Sequence, residues 1–163
     1  HIVVMANGPL CGCGNRGCVE AFSSGTGIAN YVRERLAEGA ESTVRTLVDD
    51  DLMRVSARII SEAAFAGDAL ACEAFRRAGR FLGIGIANLL YLFNPRMVVL
   101  GGSVMHQRQL FPLIRTKLAA LANGYFVHPR LETFEDYIVP PGLGDDAGVC
   151  GAFALALHAL EEG

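Results

Sequence analysis

The chain has 163 residues, of which 52% are hydrophobic and 19% are charged, and its formal net charge is −3 at pH 7. These values indicate one folded domain with a buried core and exclude a disordered segment. The slight negative charge leaves no basic stripe for phosphate backbones, so we expect this segment to bind no nucleic acid.

No signal-peptide pattern opens the chain, and its longest apolar stretch, residues 81–93, is too short to cross a bilayer. We therefore expect a cytoplasmic protein with no membrane partner. The first residue is His1 rather than methionine, so we expect the sequence to be part of a longer protein.

The N-terminal third alternates between turns and short elements. Residues 1–6 have the composition of a strand, which ends at the turn Asn7-Gly8-Pro9. The glycine-rich stretch 11–18 cannot form regular structure and is predicted as a tight loop. Residues 19–38 carry helical spacing that is interrupted at 23–27, which predicts two short helices.

A polar stretch, residues 39–51, is predicted as a solvated turn without function. Apolar spacing then predicts a helix over residues 52–66 and a longer helix over residues 68–94. The second half of the longer helix is almost entirely apolar and contains Gly83 and Gly85. This composition predicts a helix that is packed closely on several sides.

A strand is predicted over residues 97–100, a helix over 104–123, and one or two short strands over 131–139. Asp145-Asp146 is predicted to cap a last helix that extends to about residue 160. Cys72 and Cys150 lie among alanines and are predicted to be small buried side chains. Strands followed by long helices indicate the α/β class. The strands are too few for a complete sheet, so we expect part of the fold to be missing.

Three of the five cysteines, Cys11, Cys13 and Cys18, lie in the glycine-rich loop. Three soft thiolates on a flexible loop suit one metal ion, and tetrahedral zinc needs a fourth ligand. His1 is the natural candidate, because the turn before the loop lets the chain double back. The alternatives are a redox loop, which normally has Cys-x-x-Cys spacing, and unpaired structural thiols.

The loop and its flanks read His1-x9-Cys11-Gly-Cys-Gly-Asn-Arg-Gly-Cys18-Val-Glu20, and this pattern resembles the zinc signature of the ROK family of sugar kinases and sugar-responsive repressors. Segments 82–95, 98–102 and 144–148 resemble family segments in the family's order. The resemblance implies the C-terminal lobe of the actin-like ATPase (ribonuclease H-like) fold, helix-rich with a small mixed sheet. Residues 1–163 would then be a single C-terminal ROK domain with a zinc loop at 7–18, and the N-terminal ATPase lobe would be absent.

The resemblance also assigns the sugar contacts to His1 and Glu20. Zinc held by His1, Cys11, Cys13 and Cys18 would be structural, because four protein ligands leave no open position for water. The ion would fix one imidazole nitrogen and leave the other to orient a ligand. Without the resemblance, Glu20 could equally be a first-turn glutamate favoured by the helix dipole.

Gly101-Gly102 ends a predicted strand before a helix, where free backbone N–H groups let a nucleotide approach. The resemblance places the adenosine of ATP there and assigns nucleotide binding to Gly101, Gly102 and Ser103, although most relatives have a third glycine at position 103. The catalytic base aspartate and the phosphate loop for ATP with Mg²⁺ belong to the family's N-terminal lobe. Neither pattern occurs in this chain, so we expect it to contain no catalytic residue and to be inactive alone.

The function predicted from the resemblance is ATP-dependent phosphorylation of a hexose by a glucokinase-like enzyme. This chain would supply the zinc-braced sugar contacts and part of the nucleotide site. The alternative is the sugar-sensing domain of a ROK transcriptional repressor, and a third hypothesis is a zinc-stabilised assembly domain without ligand binding. The resemblance also implies a homodimer or a higher homo-oligomer.

Overall fold

Helices make up most of the structure, a computed structural model that describes residues 1–125 and 134–161. The α-helices within these residues are α1 (Val19–Ser23), α2 (Gly25–Ala37), α3 (Thr43–Leu47), α4 (Ala57–Phe65), α5 (Ala69–Phe93), α6 (Leu110–Ala122) and α7 (Ala147–Glu161). The two strands are β1 (Val98–Val99) and β2 (Ile138–Val139). The prediction of a helix-rich α/β structure with a small sheet is confirmed.

The central helix is α5, and its glycines let two other helices approach closely. A Cβ added at Gly83 would lie 2.8 Å from the Cβ of Lys117 on α6, and one added at Gly85 would lie 2.7 Å from Cγ2 of Val19 on α1. Contacts this short are not tolerated in a packed interior, so both positions require glycine. The predicted packing role of Gly83 and Gly85 is confirmed.

Each end of α5 has a residue suited to stopping a helix. Asp68 is the N-cap, and its Oδ1 accepts a hydrogen bond from the Ala71 backbone N–H at 2.9 Å. Asn94 ends the helix in the left-handed conformation, with φ of 43°. The helix predicted over residues 68–94 is therefore confirmed.

Asp68 also holds the start of α3 against the start of α5. Its carboxylate accepts hydrogen bonds from the Thr43 backbone N–H at 2.7 Å and from the Ser42 hydroxyl at 2.9 Å. Burial alone would raise the pKa of Asp68, but the hydrogen bonds from Ala71, Thr43 and Ser42 outweigh it and hold this pKa below its ordinary value. The carboxylate therefore stabilises the fold in its ionised form.

Replacing Asp68 with alanine should lower the free energy of unfolding by about 2–3 kcal/mol at pH 7, because a helix cap is lost and buried donors lose their acceptor. The folded-state pKa lies below the unfolded-state pKa of about 3.9, so this stabilisation is present above that value and is lost as the pH falls through the folded-state pKa. Urea unfolding of the unmodified protein and of Asp68→Ala should give free energies of unfolding that differ at pH 7 and differ less in acid.

The matched control for this test is Asp51→Ala. The Asp51 side chain caps only the short 3₁₀ helix Leu52–Arg54, where it accepts from the exposed Met53 backbone N–H at 3.0 Å. We expect this control to lose less stability than Asp68→Ala. Equal losses in the two variants would contradict the role of Asp68 as a link between two helices.

The strands β1 and β2 run parallel, with Val98 opposite Ile138 and Val99 opposite Val139. Within the described residues this parallel pair is the whole sheet, so the predicted mixed sheet is not found there. Residues 131–133 of the predicted strand region lie outside the described part of the chain. The pairing places the glycine turn after β1 beside the proline segment that follows β2.

Two predictions about the N-terminal half are wrong. Residues 1–6 do not form a strand, and Val3 makes only an isolated antiparallel bridge to Cys18. The pairing stops because the partner segment enters α1 directly after Cys18. The predicted turn at residues 39–51 contains α3, whose start is capped by the Ser42 hydroxyl.

Two predicted helices are shorter than expected. The helix predicted over residues 52–66 is divided, because Ser56 accepts from the Ile59 backbone N–H and caps α4 separately. The helix predicted over residues 104–123 has a 3₁₀ helix (Ser103–His106) at its start, and α6 begins only at Leu110.

The last helix, α7, exposes apolar side chains along its length. It directly follows a 3₁₀ helix (Gly144–Asp146) that contains Asp145 and Asp146, the two aspartates predicted to cap it. Cys150 is exposed rather than buried, and Cys72 is only partly buried, because no described element covers α7 and the Cys72 side chain lies near the surface. The large exposed side chains of α7 are Val149, Phe153, Leu155, Leu157 and Leu160.

No helix within residues 1–125 and 134–161 combines the length and apolarity needed to cross a membrane.

Candidate functional site

The cysteine loop folds back on the first residues of the chain. The Val19 backbone N–H donates to the Ile2 carbonyl at 2.9 Å, and the Val4 N–H donates to the Gly17 carbonyl at 2.8 Å. Gly17 has a φ of +70°, and a Cβ added there would lie 1.6 Å from the Met5 carbonyl oxygen. Only glycine fits this crossing. The crossing is what brings the start of the chain to the cysteines.

The four predicted metal ligands are brought together. One ligand atom from each of His1, Cys11, Cys13 and Cys18 lies within 4.8 Å of all the others. The Sγ atoms of Cys13 and Cys18 are 3.8 Å apart, and Cys11 Sγ is 3.5 Å from His1 Nδ1. Tetrahedral zinc, with Zn–S near 2.3 Å and Zn–N near 2.0–2.1 Å, requires separations of about 3.8 Å and about 3.5 Å. The residues present therefore fit a Cys₃His site.

The environments of two of the sulfurs differ. Burial, together with the neighbouring cysteines, raises the pKa of the Cys18 thiol to about 11. The backbone N–H of Asn15 lowers the pKa of the exposed Cys13 thiol. A metal ion binds the thiolate form, so an ion in this cluster would replace the proton that burial otherwise keeps on Cys18.

Glu20 lies beside this cluster, in the first turn of α1. Its Oε2 is 3.1 Å from His1 Nδ1 and 3.8 Å from Cys11 Sγ, and about half of its side chain is exposed. The rest of α1 is anchored on α5, because the Phe22 ring stacks on Phe81 with centroids 3.7 Å apart. The carboxylate is thus held between the cysteine loop and solvent.

Glu20 lines a cleft of about 440 Å³, which we call the Glu20 cleft. The cysteine loop forms one wall and α2 forms the other. His1 does not line this cleft, although it contacts Glu20. The residues that line it include Pro9, Leu10, Glu20, Thr26, Asn30 and Glu34.

The polar residues on the α2 side of the Glu20 cleft were not among the predicted site residues. Thr26, Asn30 and Glu34 are spaced four residues apart and therefore form one polar stripe along α2. That spacing was the available signal. It also describes an ordinary solvated helix face, which is why it did not single out these residues.

The predicted nucleotide residues lie on the exposed turn after β1. Gly102 has a φ of +93°, and an added Cβ there would have no atom within 4 Å. Ser103 opens the 3₁₀ helix and lines a second cleft, of about 580 Å³, which we call the Ser103 cleft. Ser61 and Gln107 also line it, joined by a hydrogen bond of 2.6 Å from the serine hydroxyl to the amide oxygen. Neither Ser61 nor Gln107 was among the predicted site residues.

A second contact near this turn was also missed. His106 Nε2 lies 2.6 Å from Asp145 Oδ1, which joins the 3₁₀ helix after the glycine turn to the 3₁₀ helix before α7. Both side chains are largely exposed. This pair fixes the position of the turn relative to the start of the last helix.

The start of α2 separates the two clefts. Ser24, Thr26 and Gly27 line the Glu20 cleft, whereas Gly25 lines the Ser103 cleft. The structure therefore brings the predicted sugar residue Glu20 and the predicted nucleotide residue Ser103 to clefts on opposite sides of one helix start. Gly101 and Gly102 line a separate, smaller cleft of about 120 Å³.

Residues 1–159 match the ROK family. The glucokinase of Thermotoga maritima is 33% identical over 156 residues, which cover 95% of this chain and 47% of that protein. The N-acetylglucosamine repressor of Escherichia coli is 33% identical over 164 residues, which cover 100% of this chain and 37% of the repressor. This glucokinase and this repressor thus have the same percentage identity to the chain.

Among solved structures, a ROK family glucokinase from Streptomyces griseus in complex with glucose and AMPPNP has a TM-score of 0.76 and 31% identity. The match covers 95% of this chain and 49% of that structure's chain. This chain spans about half the length of the glucokinases it matches. Because the family match extends over nearly every residue, the chain belongs to the ROK family.

Proposed function

We propose that this chain is the C-terminal domain of an ATP-dependent hexose kinase and supplies its sugar contacts and part of its nucleotide site. The observation that carries this proposal is that the cluster of His1 and the three loop cysteines contacts Glu20, which lines the Glu20 cleft together with Cys11. The Ser103 cleft on the other side of the α2 start supports a second ligand nearby. A sugar and a phosphoryl donor need such neighbouring sites.

In this proposal Glu20 binds the sugar directly. An ionised carboxylate is a strong acceptor for hydroxyl donors, and a hexose presents several of them. His1 Nδ1 faces Cys11 and Glu20, so its Nε2 is available for a second polar contact. Thr26 and Asn30 add polar groups from the opposite wall of the cleft.

We propose that zinc held by His1, Cys11, Cys13 and Cys18 has a structural role. When bound, the ion fixes the loop and the imidazole orientation, and its four protein ligands leave no position for water or substrate. Glu20 Oε2, 3.8 Å from Cys11 Sγ, then lies just outside the ligand set. The loop positions Glu20, and Glu20 makes the sugar contact.

The nucleotide in this proposal is ATP with Mg²⁺, with its adenosine end beside Gly101, Gly102 and Ser103. The open backbone at Gly102 supports this placement. The catalytic aspartate and the phosphate loop would come from an N-terminal lobe, so this chain would be inactive alone. As the C-terminal lobe of an actin-like fold, it would also take part in a homodimer or a higher homo-oligomer.

The sugar-sensing domain of a ROK repressor is the second candidate. The similarity to the N-acetylglucosamine repressor extends over the whole chain and supports it. Ser103 also supports it, because a sensor needs the Glu20 cleft but not the third glycine that the family resemblance predicts beside a nucleotide. A zinc-stabilised assembly domain remains the third hypothesis, and the exposed Glu20 carboxylate in a cleft argues against it.

The decisive experiment measures ADP production by the full-length protein that contains this chain, with MgATP and a panel of hexoses. We expect ADP production that depends on a hexose, and a metal analysis of about one zinc per chain. Sugar-dependent release from operator DNA without ADP production would instead support the repressor. Absence of sugar binding by calorimetry would contradict both candidates.

A further inference from the structure

Arg77 on α5 is a half-buried cation that is held mainly by aromatic rings. Its Cζ lies 4.7 Å from the ring centroid of Phe22, 4.4 Å from that of Tyr31 and 5.5 Å from that of Phe81. Cation–π contacts on this scale fix the plane of the guanidinium group. Within residues 1–125 and 134–161 no acceptor forms a hydrogen bond with its N–H groups. These donors are therefore positioned but unused.

The charges around Arg77 do not fully offset its partial burial. Burial lowers the pKa of Arg77, although the charges of Glu34 and Glu73 partly oppose this effect. The Glu73 carboxylate already accepts a hydrogen bond of 2.6 Å from the Tyr31 hydroxyl. A partly desolvated cation without a bonded partner is costly, and a bound anion would remove that cost.

Two more arginines lie within one turn of Arg77 on the same side of α5. Arg76 and Arg80 are exposed, and neither forms an ion pair with any described residue. Together with Arg77 and Phe81 they line a groove of about 420 Å³, which we call the arginine groove. Like charges this close on a helix repel each other by a few tenths of a kcal/mol per pair. Glu73 is the one carboxylate that lines the groove.

We propose that the arginine groove binds the phosphate group of a small organic phosphate monoester. Planar guanidinium groups bind phosphate oxygens in pairs of parallel hydrogen bonds. Three arginines and one glutamate leave the lining with two net positive charges, which match the charge of about −2 on a phosphate monoester near neutral pH. The Tyr31 ring and the exposed Met5 side chain, which also line the groove, provide an apolar wall for the organic part.

Calorimetric titration of the purified protein with phenyl phosphate at low ionic strength tests this proposal. Arg77 and Tyr31 line both the arginine groove and the Glu20 cleft, whereas Arg76 and Arg80 line the groove but not the Glu20 cleft. We therefore expect binding that Arg76→Ala/Arg80→Ala weakens at least tenfold. Inorganic phosphate should bind more weakly, because it lacks an organic group to contact the apolar wall. Arg77 is left in place because it packs against three aromatic side chains and its loss would disturb α1 and α2.

The matched control is Arg45→Ala/Arg54→Ala, which removes the same charge from two arginines that are paired with Asp50 and Asp49 and do not line the groove. We expect this control to bind phenyl phosphate like the unmodified protein. Equal weakening in both double variants would overturn the proposal in favour of a general charge effect. Equal affinity for inorganic phosphate would overturn the monoester assignment.

Discussion

Replacing Cys13 with serine should reduce the zinc content of the purified protein from about one ion per chain to nearly none. A serine hydroxyl is a poor ligand for zinc, and the remaining three ligands leave the ion open to solvent. A ligand present at a thousand times its dissociation constant contributes about 4 kcal/mol to folding, so we expect a loss of stability of that size or larger. Metal analysis and thermal unfolding of reduced protein measure both quantities.

The cysteine outside the cluster provides the control. Cys150 is exposed on α7, so Cys150→Ser changes the same atom without removing a ligand or creating a cavity. It should retain the zinc and the melting temperature of the unmodified protein. If Cys13→Ser also retains them, the four-ligand metal site is wrong. If both variants lose stability equally, serine itself rather than the loss of a ligand is responsible.

Replacing Glu20 with glutamine should weaken sugar binding without releasing the metal. One hydrogen bond to a charged group contributes about 1.5–3 kcal/mol, which corresponds to a roughly 10- to 150-fold increase in the dissociation constant for the hexose. In the proposed full-length kinase, kcat/KM for the hexose should fall by a similar factor. Calorimetry with glucose and a coupled assay of ADP production measure the two effects.

The control must separate a sugar contact from a favourable helix-dipole charge. Glu38→Gln removes a carboxylate at the end of α2, outside the Glu20 cleft, and should leave sugar affinity unchanged. Metal analysis must show that Glu20→Gln keeps its zinc. A Glu20→Gln variant that melts earlier yet binds glucose normally would show that the residue serves only the start of α1.

The structural elements that agree best with the sequence predictions are those specified by residues next to them in the chain. Asp68 and Asn94 bound the longest helix because a carboxylate accepts from the first turn and an asparagine tolerates the left-handed conformation. Gly83 and Gly85 were predicted as packing positions because small residues stood in a helix that was apolar on every side. Each of these signals lies within a few residues of the structure it specifies.

Features that depend on distant residues were predicted less well. The extended residues 1–6 have strand composition, yet the length of their pairing depends on the partner segment, which turns into α1 after Cys18. Ser61 and Gln107 meet in the Ser103 cleft although 46 residues separate them. The stacking of Arg77 among three rings likewise requires the packing of α1 and α2 on α5.

The start of α2 bears on how the family could diversify. Ser24, Thr26 and Gly27 line the Glu20 cleft while Gly25 lines the Ser103 cleft, so a substitution in one lining leaves the residues of the other unchanged. If the two clefts hold sugar and nucleotide as proposed, the two functions can change independently. An ancestor with this arrangement could lose phosphoryl transfer in one descendant lineage and retain sugar recognition. The same scaffold would then persist under two different selective pressures, one for turnover and one for ligand sensing.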